Sequence, residues 1–167
     1  MTVAYIALGS NLQNPQQQVS TALGEIAALP QTTLIKASSF YRTVPVGYDS
    51  QPDFINAVAA VETGLAPVPL LQALLAIEQR QGRERPFPNA PRVLDLDLLL
   101  YGETLLHTPE LTLPHPRMHA RGFVMLPLAE IAPGLVIPGH GSAVEVAADC
   151  MNQGVEKLGI PSEMNDA

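Results

Sequence analysis

Alternating apolar and polar residues mark a strand at residues 92–101, the most regular pattern in the chain. Because successive side chains of a strand point to opposite faces of a sheet, four leucines share a core-facing side: Leu94, Leu96, Leu98 and Leu100. The opposite side carries Asp95 and Asp97, whose Cα atoms would lie roughly 7 Å apart. Two carboxylates at that spacing repel each other unless a cation, a shared proton or open water relieves the repulsion.

Apolar spacing predicts five elements before this strand, in the order strand, helix, strand, strand and helix: 3–9, 15–29, 33–41, 54–63 and 67–82. Asn14 is the predicted N-cap of the first helix and Pro30 ends it, while Gly82 is the predicted C-cap of the second helix. The stretches 43–53 and 83–91 are rich in proline and are predicted loops. The first of these loops is long for a hairpin connection, and long loops in compact domains are often functional.

The elements after residue 101 are shorter and less regular. Brief strands are predicted at 104–106 and 135–137, a short helix that follows Arg121-Gly-Phe123 and ends at about residue 131, and a serine-capped helix at 142–153. The overall order predicts an α+β fold, a ferredoxin-like βαββαβ antiparallel sheet with helices on one face and additional C-terminal helix and strand elements. The other face stays free for a ligand. We expect a single domain over 1–167, with a frayed tail at about 159–167.

The charge distribution narrows the range of ligands. A net charge of −7 argues against a general nucleic-acid or membrane-surface binder. Six of the nine basic residues are nevertheless arginines between positions 80 and 121: Arg80, Arg83, Arg85, Arg92, Arg117 and Arg121. Arginine's planar fork suits phosphate, so the cluster indicates either a local anionic ligand or ordinary surface charge.

The remaining composition points to a cytoplasmic protein. The single cysteine, Cys150, excludes an internal disulfide framework and a cysteine-built zinc site. No apolar run reaches the roughly 18 residues of a membrane span. The N-terminus has no basic region ahead of its apolar residues, so we predict no signal peptide.

The Asp95/Asp97 pair suits magnesium, which prefers oxygen ligands and is usually held by one or two carboxylates together with substrate phosphates. No Walker-type or dinucleotide-binding glycine motif is present, so arginines and a metal would have to bind any phosphate. Two carboxylates acting as acid and base in a glycosidase-like site are the alternative, although such pairs usually flank the substrate from separate elements. A solvated strand face is the third interpretation.

Four further residues are candidates for ligand contact. Asn56 interrupts an otherwise apolar strand, as either a structural asparagine or a ligand-binding amide. His115 lies between two prolines, where it is either solvated or in contact with a phosphate or a base. Phe54 and Phe123 are core aromatics by default, or two plates that clamp a flat heterocycle.

Several motifs together resemble one enzyme family. They are Ala7-Leu-Gly-Ser-Asn-Leu12, Ser39-Phe-Tyr-Arg-Thr43, Gln51-Pro-Asp-Phe-Ile-Asn-Ala57, Ile77-Glu78, Gly82-Arg83, Pro91-Arg-Val-Leu-Asp-Leu-Asp97, Leu113-Pro-His115 and Arg121-Gly-Phe123. In this order, over about residues 3–137, the chain resembles the 6-hydroxymethyl-7,8-dihydropterin pyrophosphokinases of folate synthesis. The resemblance implies an ATP-dependent diphosphotransferase that releases AMP.

The resemblance also implies a role for each matching residue. Asp95 and Asp97 would hold two Mg²⁺ ions on the ATP phosphates, and together with Arg83 and Arg92 they form the expected catalytic set. The expected pterin contacts are Thr43, Val44, Pro45, Val46, Phe54, Asn56, Asp95 and Phe123. The expected ATP contacts are Glu78, Arg83, Arg85, Arg92, Leu98, Thr112, His115 and Arg121. A monomer would suffice for this chemistry.

The chain departs from the family pattern at three positions. Asn89 stands where relatives often have tryptophan, Pro116 where some have tyrosine, and Glu110 where some have a basic residue. These departures concern the lid and the adenine side rather than the aspartate pair. The competing class is a non-catalytic ferredoxin-like module that binds a small ligand, since fold alone does not determine function.

Overall fold

An antiparallel sheet with helices on both faces forms the centre of the protein. The computed structural model describes residues 1–11, 14–44, 53–82 and 94–159. Its first elements are β1 (Thr2–Ser10), α1 (Pro15–Ala27), β2 (Thr32–Ala37), β3 (Phe40–Thr43), β4 (Phe54–Thr63), α2 (Pro67–Gly82) and β5 (Asp95–Tyr101). They are followed by β6 (Leu106–His107), β7 (Thr112–Leu113), a 3₁₀ turn (Met118–Ala120), α3 (Gly122–Ile131), β8 (Val136–Ile137), β9 (Gly141–Ser142), α4 (Ala143–Ala148) and β10 (Val155–Gly159).

The main sheet has the strand order β10-β3-β4-β1-β5, and β2 pairs with β4 beyond the end of β3. If β2 and β3 are counted as one interrupted strand, the βαββαβ unit has four strands in chain order: β1, β2/β3, β4 and β5. Across the sheet they lie in the order β2/β3, β4, β1 and β5. Helices α1 and α2 make the two crossovers and bury Val19, Ile26, Leu74 and Ile77 against one face. The predicted ferredoxin-like βαββαβ fold is therefore confirmed.

The second predicted strand, 33–41, is interrupted at Ser38 and Ser39. Ser38 still bonds to β4, since its backbone N–H donates to a β4 carbonyl and its hydroxyl oxygen accepts from a β4 N–H. The carboxylate of Glu130, on α3, accepts hydrogen bonds from the backbone N and the Oγ of Ser39, at 3.0 and 2.8 Å. A helix from the C-terminal half thus helps to hold the backbone where β3 begins.

A β-bulge in β5 changes which face of the sheet its last residues occupy, so the prediction for these residues needs correction. Ile6 of β1 pairs with Leu98 and Tyr5 pairs with Leu100, so Leu99 is an extra residue on β5. The first three even-numbered leucines pack with α1 and α2 as predicted: Leu94, Leu96 and Leu98. Leu99 and Leu100 pack in a second cluster on the opposite face. The expectation that Leu100 shares the face of the other three is wrong, because the bulge shifts the alternation by one residue.

The additional C-terminal elements form this second cluster. Val124, Met125 and Leu128 of α3 and Val146 of α4 pack there with Leu100. They cover part of the sheet face that was expected to stay free. The rest of that face, beside the aspartates, remains open and carries the pocket described below.

Two predicted helix starts have different outcomes. Ser142 caps α4 through a capping box with Glu145, as its position predicts, but the helix ends at Ala148 rather than at 153. Asn14 precedes Pro15 as predicted, yet it adopts a left-handed conformation (φ 63°) and makes no side-chain cap. Among the described residues, no helix is long and apolar enough to cross a membrane.

Candidate active site

A pocket of about 990 Å³ opens on the sheet face that carries the two aspartates. Its floor comes from β1, β4 and β5, and its walls come from the end of β3, the start of α3 and the turn before β10. Eight of the residues singled out from the sequence line it: Thr43, Val44, Phe54, Asn56, Asp95, Asp97, Arg121 and Phe123. The fold therefore brings the six predicted pterin residues that the structure describes and the aspartate pair into one cavity.

Strand register explains why these residues meet. Gly9 of β1 pairs with Asn56 on one side and with Asp95 on the other, and Ala7 pairs with Asp97. The sheet thus holds an amide and two carboxylates on neighbouring strands at a fixed spacing. Gly9 leaves room for the amide, since a Cβ added there would lie 2.8 Å from Nδ2 of Asn56. No motif in the sequence pointed to this steric role of Gly9.

The Asn56 side chain is held in one orientation. It is only 5% exposed, and the Thr43 hydroxyl donates a 2.8 Å hydrogen bond to its Oδ1. The amide nitrogen lies toward Gly9 and can donate to a ligand on the pocket floor. Because the Thr43 side chain on the neighbouring strand β3 fixes this donor, Asn56 is better suited to recognition than an isolated amide would be.

The aspartates fit a magnesium site. Both lie on the same face of β5 and are half-buried, and the Asp97 side chain is 45% exposed. In the part of the chain that the structure describes, no three or more His, Cys, Asp or Glu side chains lie close enough together to surround a metal ion. Two carboxylate donors match an ion that takes its other ligands from phosphate and water rather than from a protein cage.

Arg121 stands between the acidic and the aromatic part of the pocket. Its Nη1 is 4.0 Å from Oδ2 of Asp97, and its guanidinium lies 5.5 Å from the centroid of the Phe123 ring. The ring supports the cation through its π face. The guanidinium therefore lies beside the carboxylate pair. Its positive charge would neutralise a phosphate group bound between Arg121 and the aspartates.

His115 lies next to this cluster, on the segment that follows β7. Its backbone N–H donates to the carbonyl of Leu99 at 2.9 Å. Burial lowers the pKa of His115. Asp97 opposes this shift, whereas Arg121 and Arg117 lower the pKa further, so the imidazole is neutral near pH 7. The backbone N–H of Arg117 donates to Nδ1 at 3.2 Å, which leaves the proton on Nε2 as a donor.

Four predicted nucleotide residues within the described part of the chain lie outside the pocket lining: His115, Glu78, Leu98 and Thr112. The carboxylate of Glu78, on α2, accepts a 2.7 Å hydrogen bond from the backbone N–H of Leu96 and so supports the edge strand between the aspartates. Leu98 is 2% exposed and packs in the core, so only its backbone could contact a nucleotide. Thr112 is half-buried on β7 and pairs with His107. Five predicted residues lie outside the described residues: Pro45, Val46, Arg83, Arg85 and Arg92.

Six lining residues were not among the predicted site residues: Ala7, Leu8 and Gly9 on β1, and Asn152, Gln153 and Gly154 in the turn before β10. The carbonyl of Gly154 accepts a 3.4 Å hydrogen bond from the Val44 N–H. For this turn, which the sequence analysis included in the end of a predicted helix, the only signal in the sequence was the turn-forming composition Asn-Gln-Gly. That composition predicts a turn but says nothing of what the turn covers.

Fold and site together define a ferredoxin-like domain with an amide, two carboxylates and an arginine in one pocket, a class that suits metal-assisted phosphoryl transfer. The comparison with known families agrees with this class and is more specific. The chain belongs to the 7,8-dihydro-6-hydroxymethylpterin-pyrophosphokinase family, whose model matches residues 5–133.

Curated relatives support the assignment over nearly the whole chain. The 2-amino-4-hydroxy-6-hydroxymethyldihydropteridine pyrophosphokinase of Pseudomonas aeruginosa is 49% identical over 154 residues, covering 92% of this chain and 95% of the relative. The enzyme of the same name from Haemophilus influenzae is 46% identical and covers 95% and 99%. A crystal structure of Plasmodium falciparum HPPK-DHPS superposes with a TM-score of 0.73 at 15% identity, covering 89% of this chain and 45% of that chain. That similarity shows the fold.

Proposed function

We propose that this protein transfers diphosphate from ATP to the hydroxymethyl group of 6-hydroxymethyl-7,8-dihydropterin and releases AMP, a step of folate biosynthesis. The observation that carries the proposal is the row Asn56–Gly9–Asp95 across three strands on the pocket floor. It combines a fixed amide donor, suited to a heterocycle edge, with the carboxylate pair that suits magnesium and polyphosphate.

The pterin would lie between Phe54 and Phe123, which both line the pocket. Flat heterocycles stack favourably on aromatic faces, and the Asn56 amide would bind the edge of the ring. Thr43 would act mainly through Asn56, since its hydroxyl holds the amide oxygen. Val44 lines the same wall, and the family resemblance extends the set to Pro45 and Val46.

Asp95 and Asp97 would hold two Mg²⁺ ions against the ATP phosphates. When bound, magnesium neutralises phosphate charge and fixes the phosphates for in-line attack. Arg121 and the neutral His115 would add donors on the same side of the pocket, and Asp95 would also border the pterin. Glu78 would act indirectly, because its carboxylate accepts a hydrogen bond from the Leu96 N–H and so holds the β5 backbone in place.

Family resemblance supplies the remaining nucleotide and catalytic contacts. Arg83 and Arg92 would complete the catalytic set, and Arg85 would join them on ATP. Leu98 would contact the nucleotide through its backbone, because its side chain is in the core. Thr112 would lie at the nucleotide end, near His115.

The reaction requires positioning and charge neutralisation rather than a covalent enzyme intermediate. The pterin hydroxymethyl oxygen forms a bond to the β-phosphorus of ATP. The bond from that phosphorus to the oxygen bridging the α- and β-phosphates breaks, and its electron pair leaves with AMP. The hydroxyl proton is lost to solvent. Positive charge in the pocket favours this path because it neutralises the negative charge that develops on the AMP oxygen.

The decisive experiment mixes the protein with ATP, Mg²⁺ and the hydroxymethyl-dihydropterin and separates the nucleotides. AMP and the diphosphorylated pterin are expected in equal amounts. Release of ADP, or no turnover with that pterin, would contradict the proposal. A non-catalytic binding module is the less favoured alternative, and calorimetry distinguishes it because ATP binding by the enzyme requires Mg²⁺.

We also propose that the protein works as a single-domain monomer in the cytoplasm. Support comes from the pocket lining, because the described residues that form it all belong to one chain. Sedimentation of the protein with and without substrates tests the oligomeric state. A stable dimer whose dissociation abolishes turnover would contradict the monomer.

A further inference from the structure

The side chain of Gln153 spans the turn that presents Arg121. Its Nε2 donates to the carbonyl of Ala120 at 3.1 Å, and its Oε1 accepts from the N–H of Gly122 at 2.8 Å. One amide group therefore binds the backbone on both sides of Arg121. Gln153 comes from the turn before β10, which is 31 residues away from Gly122 in sequence.

The turn needs this contact because α3 begins there without a cap of its own. The first N–H groups of a helix have no partner within the helix, and a side-chain oxygen usually accepts from one of them. Arg121 occupies the N-cap position and makes no side-chain cap. A guanidinium has only donors, so it could not make one. The Oε1 of Gln153 supplies the missing acceptor for Gly122.

Close packing limits the turn further. A Cβ added at Gly122 would lie 3.0 Å from the carbonyl oxygen of Cys150 and 3.1 Å from Oε1 of Gln153. The segment 150–153 therefore rests directly against the backbone of the turn. The next residue, Gly154, accepts a hydrogen bond from Val44, so the same segment joins both walls of the pocket.

We propose that Gln153 is a positioning residue that sets the Arg121 guanidinium between Asp97 and the Phe123 ring. The inference rests on the proposed function, in which Arg121 and Phe123 contact the substrates. Freeing the turn would let the guanidinium leave its place 4.0 Å from Asp97 and 5.5 Å from the Phe123 ring. The catalytic rate should fall more than the stability, since Gln153 ties down only one turn of backbone, whereas the side chains of Arg121 and Phe123 lie in the pocket.

The test compares Gln153→Ala with Gln17→Ala, a control glutamine on α1 whose Nε2 donates to Thr21. Displacing a substrate-orienting group by about 1 Å can cost up to ~100-fold in rate, so we expect kcat to fall by roughly tenfold in Gln153→Ala. Loss of one helix cap should lower Tm by only about 2–4 °C. Gln17→Ala should keep the wild-type kcat.

A double variant separates positioning from general destabilisation. If Gln153 acts through Arg121, Gln153→Ala should reduce kcat by less than about twofold in an Arg121→Ala background, because residues that act as a unit are not additive. A full tenfold loss in that background would overturn the inference. An unchanged kcat in the single variant would overturn it as well.

Amide hydrogen exchange at Gly122 provides a readout that does not depend on activity. Exchange should become about tenfold faster in Gln153→Ala and stay unchanged in Gln17→Ala, because the local opening at Gly122 loses its acceptor. Unchanged exchange in Gln153→Ala would refute the positioning role. Failure of the proposed function would instead show in the wild-type protein, as the absence of AMP release.

Discussion

Gly9→Ala tests whether the strand register makes the recognition site. The new Cβ would lie 2.8 Å from Nδ2 of Asn56, whereas ordinary contacts begin at 3.4 Å. The amide must therefore retreat by 0.6 Å or more. Asn56 is 5% exposed and bonded to Thr43, so it has little space for this movement.

The magnitude follows from the bonds at risk. Weakening the Thr43–Asn56 hydrogen bond should cost about 1 kcal/mol, and leaving a buried amide group without a partner costs about 1–3 kcal/mol. A displaced amide would also miss the ring edge of the pterin. Since each 1.4 kcal/mol is roughly a factor of ten, we expect Kd for the pterin to rise about 10- to 100-fold.

Titration calorimetry with the hydroxymethyl-dihydropterin measures the affinity, and denaturant unfolding measures the stability. Gly24→Ala is the matched control, because nothing lies within 4 Å of a Cβ added at that helical position. It should gain about 0.5–1 kcal/mol of stability and bind pterin normally. If Gly9→Ala binds pterin within about twofold of the wild type, the steric account of Asn56 recognition is refuted.

Three further predictions concern the metal site and the β3 junction. Asp95→Asn or Asp97→Asn should lower AMP release by at least ~100-fold while pterin affinity is retained at least in part; near-normal rates would remove the metal assignment. Glu130→Gln should lower the free energy of unfolding by about 1.5–3 kcal/mol, because it weakens charge-assisted bonds, whereas the exposed Glu62→Gln should change it little. Burial and a hydrogen bond to Glu130 raise the pKa of Tyr41 above its ordinary 10.0, so the associated stability is complete below pH 10 and is lost as pH rises further. Tyr41→Phe should therefore weaken the alkaline loss of stability, and an unchanged pH profile would contradict this account.

Local pattern was sufficient for much of the fold and for the chemistry of the site. The strand Phe54–Thr63 has its predicted bounds, because continuous apolar residues between turn signals leave little choice of conformation. The two aspartates share a face for the same reason, since alternation on a strand depends only on backbone geometry. The leucines that precede the bulge also face the predicted core.

Contacts between distant segments account for the features that pattern missed. The bulge that reverses Leu100 depends on how β5 pairs with β1, and alternation within β5 contains no sign of it. The break at Ser38 and Ser39 is held by Glu130, 91 residues after Ser39. Neither partner identifies the other from local sequence.

The sequence by itself determined which groups are available: an asparagine within an apolar strand, a pair of carboxylates on one face, and arginines suited to phosphate. Only the tertiary structure decided which groups meet. It placed Gly9 between Asn56 and Asp95, and it brought Gln153 from the C-terminal turn to Arg121. The physical reason is that side-chain direction follows from local backbone geometry, whereas strand register and trans capping depend on segments that are distant in the chain.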